Sequence, residues 1–249
     1  MLPQKCFYFA FQIKLMVIVI TGASRGIGKA IAEGYAKQAS HNFFLCSLRE
    51  DALNEAVSDL KRRFPASSFN YRVCDMSKTA AVKEFAAWVL QQSDSVDILV
   101  NNAGIFIPGN VHDEREGLLE EIIQVNLLAP YHLTRALLPS MIKCKKGHVF
   151  NIASIAALKA YPGGGSYGIS KFALDGFSKN LRDEMKPHGI KVTVVYPGAT
   201  YTDSWKNSGI GPDRFMQVED IAQMIVTASQ LSAPCCVEEI VIRPQLGDL

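Results

Sequence analysis

The chain has 249 residues, of which 48% are hydrophobic and 20% are charged, and its formal net charge at pH 7 is +2. This length and composition fit a single domain that buries one sizeable core. Because no long run of like charges occurs, neither a nucleic-acid-binding tail nor a basic membrane-binding patch is predicted.

The 6 cysteines form no C-x-x-C motif, and the 5 histidines form no H-E-x-x-H motif. These spacings favour neither a zinc site nor a disulfide framework, so no metal is expected. The adjacent Cys235 and Cys236 are interpreted as buried thiols in a reducing compartment, because free cysteine behaves as a small hydrophobic residue.

The N-terminal run "CFYFAFQI" (6–13) hints at a signal peptide. Gln12 and Lys14 interrupt it, no small-residue cleavage site follows, and it is shorter than the roughly 20 apolar residues that span a bilayer. A cytoplasmic protein is therefore predicted. Since Met16 directly precedes "VIVITG", residues 1–15 are interpreted as a non-essential extension or as the product of an upstream start codon.

Beyond this segment, short apolar runs alternate with longer amphipathic stretches. The apolar runs are rich in β-branched and aromatic residues and predict strands at 15–20, 42–47, 69–74, 96–100, 147–153, 190–196 and 238–243. The amphipathic stretches predict helices at 28–38, 51–63, 78–92, 114–141, 167–187 and 218–230. This alternation indicates an α/β fold in one domain over residues 16–249. We expect a Rossmann-type doubly wound parallel sheet of about seven strands, flanked by helices on both faces.

A glycine-rich turn, "TGASRGIGKAIA", follows the first predicted strand. Gly22, Gly26 and Gly28 allow a tight turn and a close approach of the backbone to a ligand. The N–H groups at the start of the next helix attract a pyrophosphate, so the turn favours a dinucleotide site at the carboxyl ends of the strands. An ordinary strand–helix turn is the alternative.

The second strand is followed by "CSLRED", which bears on the choice of dinucleotide. An acidic residue at this position favours NAD, whereas an arginine suits the 2′-phosphate of NADP. Arg49, with Arg25 from the glycine turn, therefore favours NADP. NAD stays possible, because Glu50 or Asp51 could reach the ribose if the turn is displaced.

Polar and small residues also follow the later strands. Asp75 could accept a hydrogen bond from an adenine amino group, or it could cap the next turn. In "VNNAG" (100–104), Ala103 and Gly104 leave room for a flat cofactor ring. "YPGAT" (196–200) is a rigid turn that can form a pocket floor.

Tyr167 and Lys171 are neighbours at i and i+4 in a predicted helix. On their own they fit a solvated surface pair. Ser154, at the end of the preceding strand, changes this interpretation, because a strand–loop–helix unit can bring the serine beside the tyrosine.

Taken together and in this order, "TGASRGIG", "NNAG", Asn126 in "QVNLL", Ser154, "YGISK" and "YPGATYT" resemble the classical short-chain dehydrogenase/reductase family, from about Val17 to the C-terminus. The ending "VEEIVIRP" resembles sepiapterin reductase-like members, and the first half resembles 3-oxoacyl-carrier-protein reductases equally well. The resemblance implies an NADPH-dependent oxidoreductase that reduces a small-molecule carbonyl substrate.

The resemblance also implies roles for four catalytic residues. The hydroxyls of Ser154 and Tyr167 bind the substrate carbonyl oxygen, and Tyr167 supplies the proton. Lys171 holds the nicotinamide ribose and lowers the pKa of Tyr167. Asn126 holds a water that links Lys171 to solvent.

The expected cofactor-binding residues share a position at the carboxyl ends of the strands or in the catalytic helix. They are Gly22, Ser24, Arg25, Gly26, Ile27, Gly28, Arg49, Asp75, Met76, Asn102, Ala103, Gly104, Tyr167, Lys171, Pro197, Gly198, Thr200 and Thr202. The segment at about 200–217 is expected to form a substrate lid. By resemblance, a homodimer or homotetramer is predicted.

Two other functions stay open at this point. A 3-oxoacyl-carrier-protein reductase would need a basic patch for its acidic carrier, for which Lys206 and Arg214 in the lid are the candidates. A non-catalytic dinucleotide-binding sensor would keep the fold without turnover.

Overall fold

The computed structural model describes residues 15–203 and 209–249, and its elements follow the predicted alternation of strands and helices. The strands are β1 (Val17–Thr21), β2 (Asn42–Ser47), β3 (Ser68–Val73), β4 (Ile98–Asn101), β5 (Gly147–Ile152), β6 (Ile190–Pro197) and β7 (Glu239–Ile242). The helices are α1 (Gly26–Gln38), α2 (Glu50–Arg63), α3 (Thr79–Gln92), α4 (Leu118–Ile123), α5 (Ala129–Cys144), α6 (Gly165–Met185) and α7 (Val218–Ser229). The predicted extension, apart from Leu15, lies outside the described residues.

These strands run parallel in one 7-stranded sheet, in the order β3-β2-β1-β4-β5-β6-β7. The strand order reverses between β1 and β4, so a ligand crevice opens at the carboxyl ends of these two strands. Every residue of β4 and β5 is buried, which explains why their apolar runs show no alternation. The predicted doubly wound α/β fold is confirmed.

Helices cover both faces of the sheet and bury two apolar clusters against it. On one face α1 packs against α7 and buries Ile31 and Ile225. On the other face α3 packs against α5, and Val89, Leu137 and Leu181 are buried there. Burying one such side chain stabilises a fold by about 1.5–3 kcal/mol, so these clusters hold the helices in place. Within residues 15–203 and 209–249, no helix has the length and apolar character needed to cross a bilayer.

A layer of buried amides and hydroxyls connects β4 and β5 to the helices beneath them. Asn101 and Asn151 lie opposite each other in register. Nδ2 of Asn101 donates to Oδ1 of Asn151 (2.8 Å) and to Oγ1 of Thr134 in α5 (3.0 Å). Nδ2 of Asn151 donates to Oγ of Ser178 in α6 (2.8 Å). Two strands and two helices are thus joined by hydrogen bonds between buried groups.

The helix predicted at 114–141 is divided in the structure. Gly117 adopts a left-handed φ of 79° just before α4, so the helix begins later than expected. A π-helix, Gln124–Leu128, then separates α4 from α5. Pro130 has no N–H to donate to the carbonyl of Asn126, as an α-helix requires, and the wider π turn accommodates this.

The prediction that the adjacent cysteines are buried is wrong. Cys235 is exposed and Cys236 is partly exposed, because both lie in the loop between α7 and β7 rather than in a strand. The buried thiols of the described residues are Cys46 in β2 and Cys74 just after β3.

Candidate active site

The glycine turn between β1 and α1 is shaped by the absence of side chains. Gly22 and Gly26 have φ angles of 66° and 54°, which favour glycine. A Cβ on Gly28 would lie 2.4 Å from the carbonyl oxygen of Gly22 and 2.6 Å from Nδ2 of Asn102. No side chain of Arg25 caps α1, so the first N–H groups of this helix are available to a phosphate.

Thr21 and Asn102 hold the glycine turn against the end of β4. The Thr21 hydroxyl accepts hydrogen bonds from the backbone N–H groups of Asn102 and Ala103, both at 3.0 Å. Nδ2 of Asn102 donates to the carbonyls of Thr21 (2.9 Å) and Gly22 (3.2 Å). Asn102 therefore supports the turn through its side chain. Sequence reasoning missed Thr21, whose signal is a polar residue at the end of an apolar strand.

Two adjoining cavities lie along the carboxyl ends of the strands. Their volumes are about 550 Å³ and about 350 Å³, and both are lined by Ile27, Asn102, Gly104, Ile105 and Thr202. Other expected cofactor residues that line the larger cavity are Gly22, Ser24, Arg25, Gly26, Asp75, Met76 and Ala103. The smaller cavity, which we call the substrate cavity, is lined by Ser154, Tyr167, Lys171, Pro197, Gly198 and Thr200 among others.

This arrangement fits a dinucleotide. The glycine turn and the exposed N–H groups of α1 face one end of the connected space, and the Ser154, Tyr167 and Lys171 cluster faces the other. Gly104 lies between the two ends, and a Cβ there would be 3.2 Å from Oδ1 of Asn126 and 3.6 Å from Nζ of Lys171. The missing side chain of Gly104 therefore leaves room for the side chains of Asn126 and Lys171, and the room for a flat cofactor ring beside Gly104 stays a prediction.

Of the two arginines predicted to bind a 2′-phosphate, only Arg25 lines a cavity in the structure. Arg25 lines the larger cavity and forms an ion pair with Asp203 across the cavity mouth. Arg49 is exposed at the N-terminus of α2 and is not among the residues that line either cavity.

Asp75 closes the turn after β3, which is one of the two alternatives predicted for it, and its contact with an adenine amino group stays a prediction. Its Oδ1 accepts a hydrogen bond from the backbone N–H of Ser77 (2.8 Å), so the side chain closes the turn after β3. Hydrogen bonding by Ser77 lowers the pKa of Asp75 below its usual value. The residue also lines the larger cavity, next to Met76.

Ser154, Tyr167 and Lys171 come together in the wall of the substrate cavity. Ser154 follows β5, and its Oγ accepts a hydrogen bond from the backbone N–H of Ala156 (3.2 Å). Tyr167 lies in the first turn of α6, with the Phe106 ring edge-on at 4.8 Å between ring centres. Nζ of Lys171 lies 5.6 Å from the centre of the Tyr167 ring.

Burial dominates the ionisation of Tyr167 and Lys171. It raises the pKa of Tyr167 to about 12, and the Ser154 hydroxyl opposes this by less. Burial also lowers the pKa of Lys171 to about 8, while Nζ donates to the carbonyl oxygen of Ile152 (2.9 Å). The sequence-based expectation that the Tyr167 pKa falls is therefore not met by the protein's own groups, because removing the phenol from water disfavours phenolate.

Asn126 joins the loop after β4 to the catalytic helix. Its Oδ1 accepts from the N–H of Ile105 (2.9 Å), and its Nδ2 donates to the carbonyl of Ile105 and to Oγ of Ser170, both at 3.0 Å. Both amide hydrogens are therefore used within the protein. The contact positions Gly104 and α6 relative to each other, and the water-holding role stays a prediction.

Glu114 is a site-supporting residue that sequence reasoning missed. Its carboxylate accepts hydrogen bonds from the backbone N–H of Ser166 (2.8 Å) and from the Ser166 hydroxyl. A carboxylate at the N-terminus of α6 also interacts favourably with the helix dipole. Glu114 thus fixes the first turn of α6, beside Tyr167. It was missed because it was predicted to be the first residue of a helix, whereas in the structure it lies in the loop before α4.

The predicted lid is described only in part, since residues 204–208 lie outside the described residues. Thr200 pairs with Met216 through an isolated bridge, and the N–H of Tyr201 donates to the carbonyl of Met216 (2.8 Å). Thr200 and Thr202 line the substrate cavity, and their contact with the cofactor stays a prediction. Opening and closing of this segment stays a prediction.

Comparisons with known proteins agree with this geometry. Residues 16–212 match the family model of short chain dehydrogenases. Sepiapterin reductase of Chlorobaculum tepidum is 33% identical over 239 residues, which cover 94% of this chain and 98% of the relative.

Two solved structures are similar over almost the whole chain. Alcohol dehydrogenase from the archaeon Thermococcus sibiricus, complexed with 5-hydroxy-NADP, has a TM-score of 0.86 at 28% identity and covers 95% of this chain and 99% of its own. L-sorbose reductase from Gluconobacter frateurii, complexed with NADPH and L-sorbose, has a TM-score of 0.86 at 27% identity, with coverages of 93% and 96%. The chain therefore belongs to the short-chain dehydrogenase/reductase family and is an NAD(P)-dependent oxidoreductase that acts on CH–OH and C=O groups.

Proposed function

We propose that the protein reduces a ketone to an alcohol with NADPH, using Ser154, Tyr167, Lys171 and Asn126 as catalytic residues. One observation carries the proposal: Ser154, Tyr167 and Lys171 line a cavity that adjoins the glycine-turn cavity. Two hydroxyl donors and one ammonium thus face the space where a carbonyl would meet a dinucleotide.

The chain's own groups bind and polarise the carbonyl. When bound, NADPH supplies the hydride. The hydroxyls of Ser154 and Tyr167 donate hydrogen bonds to the carbonyl oxygen, where negative charge develops. A pKa of about 12 keeps Tyr167 protonated at neutral pH, so it holds the proton that the alkoxide needs. Lys171, with a pKa of about 8, is charged at pH 7 and attracts the phenolate left behind.

Two residues that line the larger cavity, Arg25 and Leu48, support NADPH over NADH. Arg25 lies at its mouth, and a guanidinium binds phosphate well. The cavity is also lined by Leu48, which follows β2 at the position where NAD-binding sites usually carry an acidic residue. The archaeal alcohol dehydrogenase and L-sorbose reductase bind NADP-type cofactors in their crystal structures, which agrees with this choice.

The alternatives receive less support. Arg214, one of the two basic lid residues considered for a carrier protein, donates its hydrogen bonds to backbone carbonyls of Leu246, Gly247 and Asp248. Those bonds leave it poorly placed to bind an acidic partner. A non-catalytic sensor would not need Ser154, Tyr167 and Lys171 around one cavity. A homodimer or homotetramer in the cytoplasm stays part of the proposal, and exposed Ile169 and Phe172 on α6 agree with self-association.

The test is the oxidation of NADPH and of NADH with a panel of ketones, diketones, pterins and 3-oxoacyl esters. We expect turnover of ketones and a kcat/KM at least about tenfold higher with NADPH. Arg25→Ala is expected to remove most of that preference by weakening NADPH alone, whereas Arg49→Ala changes it by less than about twofold. An NADH preference in the unmodified protein, or an unchanged preference in Arg25→Ala, contradicts the assignment of Arg25.

A further inference from the structure

The larger cavity is lined by few charged side chains, although a dinucleotide carries several negative charges. Among the described residues that line it, the charged ones are Arg25, Asp75 and Asp203. The carboxylate of Asp75 is used in the turn after β3, where it accepts a hydrogen bond from the backbone N–H of Ser77 (2.8 Å). Asp203 belongs neither to this turn nor to the proposed catalytic residues, so its charge at the cavity calls for another explanation.

The glycine turn brings Arg25 to the part of the cavity that would bind the ribose end of a dinucleotide. The neighbouring Ser24 contacts Ser47 at the end of β2, with 2.9 Å between the two hydroxyl oxygens. Ser47 and Leu48 line the same cavity. In sites of this kind, the residue after the second strand distinguishes a ribose 2′-hydroxyl from a 2′-phosphate. Arg25 is therefore on the side of the cavity at which NADPH and NADH differ.

The guanidinium of Arg25 is paired with Asp203 in the structure. Its Nη1 donates to Oδ2 of Asp203, which stands just after Thr202 in the segment that follows β6. Both side chains are open to solvent, with 59% of the arginine and 36% of the aspartate exposed. Exposed ion pairs contribute little free energy, because water solvates both charges when they separate. A phosphate monoester carries more negative charge than a carboxylate and can displace it from the guanidinium.

The ion pair opposes the binding of a phosphate by Arg25. A phosphate binds a guanidinium best through two parallel N–H···O bonds, and Asp203 already occupies Nη1. NADPH must therefore break or share the ion pair, whereas NADH has no 2′-phosphate and can leave it intact. The carboxylate thus weakens the binding of NADPH without the same effect on NADH.

We propose that Asp203 is a specificity-determining residue that competes with the 2′-phosphate of NADPH for the guanidinium of Arg25. Its carboxylate holds the preference for NADPH below the level that Arg25 alone would give. This inference rests on the proposed use of NADPH and on the assignment of Arg25 as the residue that binds the 2′-phosphate. Asp203 takes no part in the transfer of hydride or proton, so its effect lies in cofactor binding.

The test measures the dissociation constants of NADPH and NADH by the quenching of protein fluorescence. Asp203→Asn removes the charge and keeps the shape of the side chain. We expect this variant to bind NADPH about fivefold more tightly, with NADH changed by less than about twofold. The gain should shrink at about 0.5 M NaCl, because salt screens exposed charges. Asp203→Glu keeps the charge and should leave both constants within about twofold of those of the unmodified protein.

A second pair of variants tests whether Asp203 acts through Arg25. In Arg25→Ala the carboxylate and the phosphate no longer have a guanidinium to compete for. Adding Asp203→Asn to Arg25→Ala should therefore change the affinity for NADPH by less than about twofold.

Asp213→Asn is the matched control, since Asp213 is exposed, lies in the same segment after β6 and is not among the described residues that line either cavity. It makes the same change in net charge and should leave both constants unchanged. Unchanged or weaker binding of NADPH by Asp203→Asn overturns the proposal, as does equal strengthening for both cofactors. If Arg25→Ala itself binds NADPH as the unmodified protein does, that different result contradicts the proposed role of Arg25 and the competition that depends on it.

Discussion

The cofactor side and the substrate side of the carboxyl edge are built in different ways. On the cofactor side, the turn between β1 and α1 and the end of β4 act mainly through backbone, missing side chains and short-range hydrogen bonds. On the substrate side, Phe106, Tyr161, Asp248 and Leu249 reach one cavity from distant parts of the chain. The cofactor side therefore depends on short local segments of the chain, whereas the substrate side depends on the tertiary fold that brings separate segments together.

The largest expected effect is that of Tyr167→Phe, which removes one hydroxyl from the substrate side and tests whether catalysis can be lost while the cofactor side still binds NADPH. We expect kcat for ketone reduction to fall by about 10²–10⁴-fold, because the proton donor is lost. The dissociation constant for NADPH should stay within about threefold, as measured by the quenching of protein fluorescence. Tyr131→Phe is the control, since that hydroxyl accepts from Arg135 on α5, away from both cavities. More than a tenth of the original kcat in Tyr167→Phe would contradict the role of this residue.

The cofactor side is tested by Gly28→Ala. The new Cβ would lie 2.4 Å from a backbone oxygen, so the turn itself must move, and we expect NADPH to bind at least about tenfold more weakly. Gly176→Ala is the matched control, because a Cβ there meets nothing within 4 Å in the middle of α6. It should leave NADPH binding unchanged and raise the free energy of unfolding by about 0.5–1 kcal/mol. Equal effects of the two substitutions on NADPH affinity would show that the close contact at Gly28 is unimportant.

Lys171 is proposed to contact the cofactor and to assist Tyr167. Its pKa of about 8 predicts a pH dependence of NADPH binding that is smaller than the effects of the two substitutions above. At pH 9 most of this lysine is neutral, so we expect NADPH to bind about fivefold more weakly than at pH 7. The titration of Lys171 does not itself destabilise the fold at pH 9: folding lowers its pKa from 10.5, so the unfolded chain holds more protons between these values and the cost that this group imposes on the fold shrinks as pH rises. Lys171→Met should bind weakly with a flat pH profile. If NADPH binding by Lys171→Met still weakens between pH 7 and pH 9, the pH dependence belongs to another group and the prediction for Lys171 is wrong.

Much of the fold could be predicted because the buried strands carry their signal locally. β4 and β5 are rich in apolar residues without strict alternation and are separated by helices with charged faces, which is the pattern of a sheet covered on both faces. The break before α5 could not be predicted from amphipathic spacing, since Pro130 acts through a hydrogen bond that it cannot donate. The same pattern continues on both sides of the interruption.

Some residues of the candidate site could likewise be predicted from local sequence signals, and others could not. Gly22, Ser154 and Tyr167 stand in short motifs or at strand ends, so topology alone predicts that they meet. Glu114 and Asp248 have no such signal, because each reaches the site through a loop whose path depends on tertiary contacts. The direction of the Tyr167 pKa shift also depends on how far the surrounding groups exclude water. The i, i+4 spacing of Tyr167 and Lys171 in the sequence carries no information on that burial.

The amide layer between β4 and β5 has a consequence for how the chain selects its native pairing. Sliding β5 by one residue would turn the Asn151 side chain to the other face of the sheet and away from Asn101 and Ser178, at a cost of about 1–3 kcal/mol for each buried polar group left unpaired. Hydrophobic side chains alone tolerate such slips more readily, since neighbouring apolar residues are nearly interchangeable. The buried hydrogen bonds of this layer therefore favour the native register of β5 over a register shifted by one residue. Because Ser154 follows β5 and Ser178 belongs to the Tyr167 helix, correct alignment there also sets the spacing of the two hydroxyls on which the chemistry depends.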